Sequence, residues 1–174
     1  MTKFLLSLHV LVAIVAVGPV TVAASMFPPG ARRALADPGD PRAAETLRLL
    51  HRICRVYAGV GIAVPVLGMA TALSMGVLND TWLVVSMVLT GVAAAVLLAL
   101  VLPRQEELLE AVDAGGAAEA DSAIGTSTGA GTSAGVAVSA RLTVRLAMFT
   151  GVFNLLWATV TILMIVRPGS TTGA

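Results

Sequence analysis

Residues 82–102 are WLVVSMVLTGVAAAVLLALVL, an apolar run without a charged side chain. As an α-helix that rises about 1.5 Å per residue, this run is about 30 Å long, which matches the hydrocarbon core of a bilayer. Three further stretches meet the same criterion, so the predicted spans are 4–26, 53–76, 81–102 and 144–166. A chain of 174 residues is too short to cover four such helices with polar surface. The sequence therefore predicts an all-α integral membrane protein, an antiparallel four-helix bundle.

The composition favours the same class and excludes others. Apolar residues make up 57% of the chain and charged residues only 12%, whereas about 25% of an ordinary soluble domain is charged. A net charge of +1 provides no long-range field that would attract nucleic acid. A single cysteine, Cys54, excludes an intramolecular disulfide and any Cys-x-x-Cys redox or zinc site. The expected partner is the lipid bilayer, with a membrane protein or a second copy of the chain as further possibilities.

The first span has an alternative interpretation as a cleaved signal peptide. Lys3 forms a weak basic region before it, and residues 22–24, Val-Ala-Ala, resemble a cleavage site. The apolar run is longer than a usual signal peptide and contains His9. These two features favour a membrane span.

The distribution of lysine and arginine predicts the orientation. Nine arginines lie in or beside the two long connections: Arg32, Arg33, Arg42, Arg48, Arg52, Arg55, Arg104, Arg141 and Arg145. Lys3 and Arg167 are the only basic residues on the other side. Because positive loops stay in the cytosol, we expect both termini outside and a location in the inner (cytoplasmic) membrane of a bacterial cell.

Turn and cap residues predict how the spans are joined. Residues 28–30, Pro-Pro-Gly, and residues 37–39, Asp-Pro-Gly, are both typical of turns. Asp40 followed by Pro41 predicts an N-cap and a first helical residue. Pro65 deletes a backbone hydrogen bond and should kink the second span.

The later connections differ in length and in charge. Residues 76–81 predict a tight turn, with Trp82 at the membrane interface. The third span should continue past Pro103 as the acidic stretch 105–110, close to the basic residues around Arg52. Residues 114–140 are almost entirely Gly, Ala, Ser and Thr, a composition that predicts a flexible linker.

Helices in lipid pack through small residues, so stripes of these residues at helical spacing predict the packed faces. The predicted faces are His9, Ala13, Ala16 and Val20; His51, Cys54, Ala58, Gly61, Pro65, Gly68 and Ala72; Met87, Gly91, Ala94 and Leu98; and Ala147, Gly151, Asn154, Ala158 and Thr161. Because these faces are rich in Gly and Ala, we expect a closed bundle rather than a porous one.

Polar groups inside a membrane are candidates for function. No Asp or Glu lies within an apolar span, which argues against a proton-coupled exporter. Asn154 is the deep amide of the fourth span, and an interhelical hydrogen bond is its expected role.

His9 and His51 suggest haem binding, but their depths differ. His9 should lie about 7 Å below the outer surface, and His51 about five residues before the second span enters from the opposite side. The resulting axial separation of about 25–30 Å is too large for both to ligate one iron. We therefore expect His51 to be an interfacial residue beside Arg52.

His9 is the better metal candidate. Met69, Met75, Met87 and Met164 should fall in the same outer third of the bundle. One imidazole and soft thioethers suit Cu(I), so His9, Met69, Met87 and Met164 form a candidate copper site. The alternatives are methionines that fill gaps in the core and a histidine that hydrogen-bonds a carbonyl or transfers protons.

The stretch FLLSLHVL at residues 4–11, followed by Gly18 and a Pro-Gly turn, resembles an uncharacterised family of bacterial predicted integral membrane proteins. That family is distantly similar to the membrane part of the copper-resistance protein CopD. The resemblance covers mainly residues 4–60 and implies a compact four-helix membrane protein with a histidine early in its first helix. Only His9 corresponds by position.

Three functional hypotheses remain open. The first is a small non-enzymatic membrane protein, either an accessory factor or a subunit, because the chain shows no nucleophile–base pair. The second is a copper or haem module that uses His9 and the outer methionines. The third is a small transporter or channel, with Asn154 and Thr161 along its path.

Overall fold

The computed structural model describes residues 2–124 and 132–168, and every regular element in these ranges is helical. The elements are α1 (Thr2–Ala36), α2 (Pro41–Gly61), α3 (Ala63–Met75), α4 (Thr81–Val96), a π-helix (Leu97–Val101), α5 (Leu102–Ile124) and α6 (Thr132–Val166). Within the described ranges, four helical stretches are long and apolar enough to cross a membrane: Thr2–Ala36, Pro41–Met75, Thr81–Ala118 and Ala140–Val166. The predicted helical membrane protein with four candidate spans is confirmed at this level.

Helix α1 is longer than predicted, because the expected turn at residues 28–30 is wrong. The helix continues through Pro28 and Pro29 to Ala36. Phe27 and Ala31 are completely buried, and the most extensive contact between two of the described helices is that of α1 with α2. A Cβ atom on Gly30 would lie 3.3 Å from Cδ2 of Leu47, so the two helices meet closely here. This packing outweighs the hydrogen bonds that the two prolines remove.

The other predicted caps and turns are present. Asp40 caps α2, with its Oδ1 accepting a hydrogen bond of 2.9 Å from the Arg42 backbone N–H. The helix is interrupted at Ile62, close to Pro65, which cannot donate to the carbonyl of Gly61. Gly76 ends α3 in the left-handed region, with a φ of 70° that glycine adopts without strain.

Helix α5 continues the third span past Pro103 as predicted, but a π-helix precedes it. Pro103 has no N–H to donate to the carbonyl of Ala99, and the N–H of Leu102 bonds the carbonyl of Leu97, five residues back. The helix then extends to Ile124, and α6 begins at Thr132. Residues 114–124 and 132–140 are therefore helical, and alanine is the best helix former; residues 125–131 lie outside the described ranges, and the flexibility of 114–140 remains a prediction.

The packed faces agree with the prediction for the first two spans only. Ala16, Val20, Cys54 and Ala72 are buried. In the other two spans the predicted stripes are wrong, since Gly91, Ala94, Leu98, Gly151, Ala158 and Thr161 are exposed. The buried residues there are instead Leu83, Ser86, Thr90, Ala93 and Leu97, and Leu146, Thr150, Phe153 and Val160.

Hydroxyl side chains explain this error in the third span. The hydroxyl of Ser86 donates to the carbonyl of Trp82, and that of Thr90 donates to the carbonyl of Ser86, both at 2.8 Å. Each hydroxyl is thus satisfied within its own helix. The side chain then packs like a small apolar residue, which a search for Gly and Ala alone does not detect.

Candidate functional site

An apolar cavity of about 910 Å³ lies between α1, α3, α4 and α6. Its lining includes His9 near the start of α1, Met75 at the end of α3, Trp82 at the start of α4 and Arg167 just after α6. We call this end of the molecule the cavity end. The opening contradicts the closed packing expected from the small-residue stripes: Met87 and Thr161 of the predicted α4 and α6 faces line it, whereas Gly91 and Gly151 lie outside the lining. A volume of this size is typical of a site for a small molecule.

His9 forms part of the cavity wall and is 7% exposed. A Cβ atom on Gly68 would lie 3.0 Å from Cε1 of His9, so the ring can lie here only because residue 68 has no side chain. The Nδ1 of the imidazole is buried without a hydrogen-bond partner. One nitrogen of the ring is therefore unsatisfied at the edge of the cavity.

The structure brings three of the four predicted copper ligands to the cavity. His9, Met87 and Met164 all line it, and Met75 lines it as well. Met69 does not belong to this group, because its side chain is 39% exposed and lies outside the cavity lining. In residues 2–124 and 132–168, no three His, Cys, Asp or Glu side chains come together as a metal site. Any metal here would depend on one imidazole and thioethers.

The cavity interior presents few hydrogen-bonding groups to a ligand. Thr71, Thr90 and Thr161 line it, but each hydroxyl donates to a carbonyl of its own helix at 2.8–2.9 Å. The walls between these residues are largely aliphatic, with Leu6 and Val10 as examples. The interior is therefore suited to an apolar molecule.

The end of the cavity next to Arg167, which we call its mouth, is polar and cationic. The guanidinium carbon of Arg167 lies 5.6 Å from the centre of the Trp82 ring, a cation–π contact. The indole Nε1 of Trp82 donates to Oδ2 of Asp80 at 3.0 Å. Arg167 has a φ of 44°, a left-handed conformation that costs a residue with a side chain about 1–2 kcal/mol. Local strain thus accompanies the placement of a positive charge at the cavity mouth.

A second polar cluster lies where α2 meets α5. His51 is buried, and its Nδ1 lies 3.0 Å from Oε1 of Gln105. The Nε2 of Gln105 is 3.6 Å from the Cys54 sulfur, and Nε2 of His51 is 3.5 Å from Oε1 of Glu106. His51 is therefore enclosed between α2 and α5, because α5 extends over it, and its interfacial depth remains a prediction. His9 and His51 occupy different sites, as their predicted depths required.

Sequence reasoning missed Gln105, although the sequence contained a signal for it. Gln105 is completely buried. It lies in register with Val101, Leu108 and Val112, which are all buried at helical spacing. An amide on the apolar stripe of a predicted helix requires a partner, and His51 is the partner that α2 supplies.

The predicted role of Asn154 corresponds to a contact in the structure. Its Nδ2 donates to Oγ of Ser25 in α1 at 3.1 Å, while its Oδ1 is buried without a partner. The basic and acidic helix extensions also approach each other, although the ion pair involves Asp113, beyond the predicted acidic stretch 105–110. Arg48 and Asp113 form an ion pair of 2.6 Å between α2 and α5, with both side chains half exposed.

Comparison of the chain with protein-family models, with curated proteins and with solved structures finds no significant match. The resemblance of residues 4–60 to the CopD-like membrane family remains a prediction.

Proposed function

We propose that this protein is a small non-enzymatic protein of the cytoplasmic membrane, an accessory factor or subunit that binds an apolar molecule in the cavity. The cavity carries this proposal, since it holds about 910 Å³ between four helices. Its walls are largely aliphatic, and its threonine hydroxyls are satisfied internally. A ligand that enters from the hydrocarbon phase exchanges one apolar environment for another and keeps few polar contacts.

The proposal includes an antiparallel bundle with the cavity end outside the cell. The cavity end gathers the start of α1, the end of α3, the start of α4 and the end of α6, which supports alternating helix directions. The arginine-rich connections belong to the opposite end and favour the cytosol. A tag fused after Val166 should be reachable from outside intact cells; a tag reachable only from the cytosol would overturn this orientation.

Ligand binding is tested with a matched pair of glycine variants. Gly18 lines the cavity, and an added Cβ atom there would meet no atom within 4 Å. Leucine at this position should therefore reduce the cavity volume without a clash. Gly91 has equally open surroundings but lies outside the lining, so Gly91→Leu is the control.

The measurement is mass spectrometry of the gently solubilised protein, which reports retained small molecules, metals and partner proteins together. A small apolar molecule should remain with the wild type and with Gly91→Leu and be depleted in Gly18→Leu. Equal retention by all three proteins, or none by any, would contradict a function of the cavity.

Copper or haem binding is the second candidate, favoured by the unsatisfied Nδ1 of His9 and by the thioethers of Met75, Met87 and Met164 at the same cavity. These residues would hold Cu(I), for which imidazole and thioether are suitable ligands. Titration of the protein with Cu(I) under reductant, and a spectrum of its Soret region, test this candidate. His9→Ala should abolish a metal signal, and a wild-type protein that retains neither copper nor haem would eliminate the candidate.

A further inference from the structure

We propose that the cavity binds a single-chain amphiphile with a carboxylate headgroup, with the headgroup at Arg167 and the apolar chain inside. This inference rests on the proposed ligand-binding function and specifies the class of ligand. It is carried by the juxtaposition of a cation at the mouth with an apolar interior.

Within residues 2–124 and 132–168, Arg167 forms no ion pair, since the ion pairs there involve Arg48, His51 and Arg104. The carboxylate of Asp80 accepts a hydrogen bond from the Trp82 indole. In the part of the chain that the structure describes, the hydrogen bond of the Arg167 side chain is a long one of 3.4 Å from Nε to the carbonyl of Met164. A guanidinium has five N–H donors in a planar fork that matches a carboxylate, so donors remain for a ligand.

The cavity has the depth that an extended chain needs. Val160 lines it seven residues before Arg167 in the chain, which corresponds to about 10 Å along α6. On α4, Thr90 lines it eight residues after Trp82, which corresponds to about 12 Å. A linear chain can thus extend from the mouth towards the middle of the predicted membrane while its headgroup stays at the interface.

The two tryptophans of the chain, Trp82 and Trp157, both line the cavity and provide the readout. A chain with a terminal bromine quenches the fluorescence of a tryptophan that it contacts. The probes are 11-bromoundecanoic acid and 11-bromoundecanol, which share the chain and differ in headgroup charge. They are titrated at pH 8 into the full-length protein in phosphatidylcholine nanodiscs, whose headgroups are neutral overall.

Wild-type protein should bind the carboxylate with a Kd about tenfold lower than that of the alcohol, as one charge-assisted contact implies. Arg167→Gln should remove this preference and leave alcohol binding unchanged, whereas Arg167→Lys should retain most of it. Lys3→Gln is the matched control, because Lys3 is a cation near the same end that does not line the cavity. Its preference should equal that of the wild type.

Each of the other possible quenching results would overturn a specific part of the proposal. Equal quenching by acid and alcohol that is lost in Gly18→Leu would overturn the headgroup assignment and leave the proposed ligand binding intact. Quenching of the wild type no stronger than that of Gly18→Leu would contradict both. Loss of alcohol binding in Arg167→Gln would overturn the assignment as well, because Arg167 would then shape the cavity rather than bind a headgroup.

Discussion

Replacement of Gln105 by leucine should destabilise the protein by about 1–3 kcal/mol, the usual effect of leaving a buried hydrogen-bonding group unsatisfied. Gln105 is completely buried, and its Oε1 is the partner of Nδ1 of His51 at 3.0 Å. Leucine has nearly the same volume, so the change acts mainly through the orphaned imidazole nitrogen. Removal of the other partner in His51→Leu orphans Oε1 of Gln105 and should have an effect of the same size.

The double variant separates this mechanism from a loss of packing. When His51 and Gln105 are both leucine, no buried polar atom of the pair remains, and such replacements are close to neutral. The double variant should therefore be less destabilised than either single variant. This corresponds to a coupling energy of about 1–3 kcal/mol in the double-mutant cycle.

The location of the His51–Gln105 pair determines how much free energy its hydrogen bond contributes to stability. Hydrogen bonds between helices within a bilayer average only about 0.6 kcal/mol, because the unfolded chain finds other partners in the membrane. His51 instead lies between Arg48 and Arg52, two exposed charges at the end of the molecule opposite the cavity. In the proposed topology the unfolded chain there is in contact with water, so the value for an aqueous buried group is the appropriate one.

The assay is equilibrium unfolding of the purified protein in mixed micelles with increasing sodium dodecyl sulfate, followed by tryptophan fluorescence. Arg52→Leu is the control, because Arg52 is adjacent to His51 and exposed; its effect should stay within about 0.5 kcal/mol. Additive effects of the two single variants in the double variant would refute the reasoning, since they would show that the two side chains do not interact.

Three further predictions use the same unfolding assay. Gly68→Ala should destabilise the protein by about 1–3 kcal/mol, because its Cβ would lie 3.0 Å from Cε1 of His9. Gly91→Ala has no atom within 4 Å of its Cβ and should stabilise the protein by up to about 1 kcal/mol through helix propensity. Equal effects of the two variants would contradict the close contact between Gly68 and His9. Phe27→Ala should destabilise by about 3–5 kcal/mol as a completely buried side chain, whereas Phe4→Ala, with Phe4 70% exposed, should change stability by less than about 1 kcal/mol; a small effect at Phe27 would contradict its burial in the core. Asn154→Leu should change stability by only about 0.6 kcal/mol, because it removes one bond to Ser25 together with an unsatisfied carbonyl oxygen; a loss several times larger would mean that Asn154 has a further partner.

Much of the fold was predictable from local chemistry. Hydropathy alone located the four helices that can cross a membrane. Asp40 caps α2 through a side-chain hydrogen bond to a backbone N–H two residues later. Gly76 ends α3 because a residue without a side chain adopts the left-handed conformation readily. In each case the deciding interaction joins residues that are close together in the sequence.

The errors depend on contacts between distant segments. Pro28 and Pro29 are tolerated because α2 packs against the same turn of α1, which no local pattern reveals. The predicted copper set contained Met69, since depth along a helix was known but the direction of the side chain was not. The cavity itself results from how four helices fail to fill the space between them, and the burial of Gln105 results from where α5 crosses α2.

The five-residue π-helix at Leu97–Val101 has a consequence for how this chain tolerates change in length. A π turn accommodates about one residue more than an α turn, so the positions that follow keep nearly the orientation that an uninterrupted α-helix one residue shorter would give them. Deletion of one residue here would restore uniform α-helical winding and leave Gln105 directed at His51, whereas deletion of a second residue would turn it away by about 100°. A single-residue deletion at this point should therefore be tolerated better than one elsewhere in the helix, because the buried residues on both sides of it keep their partners.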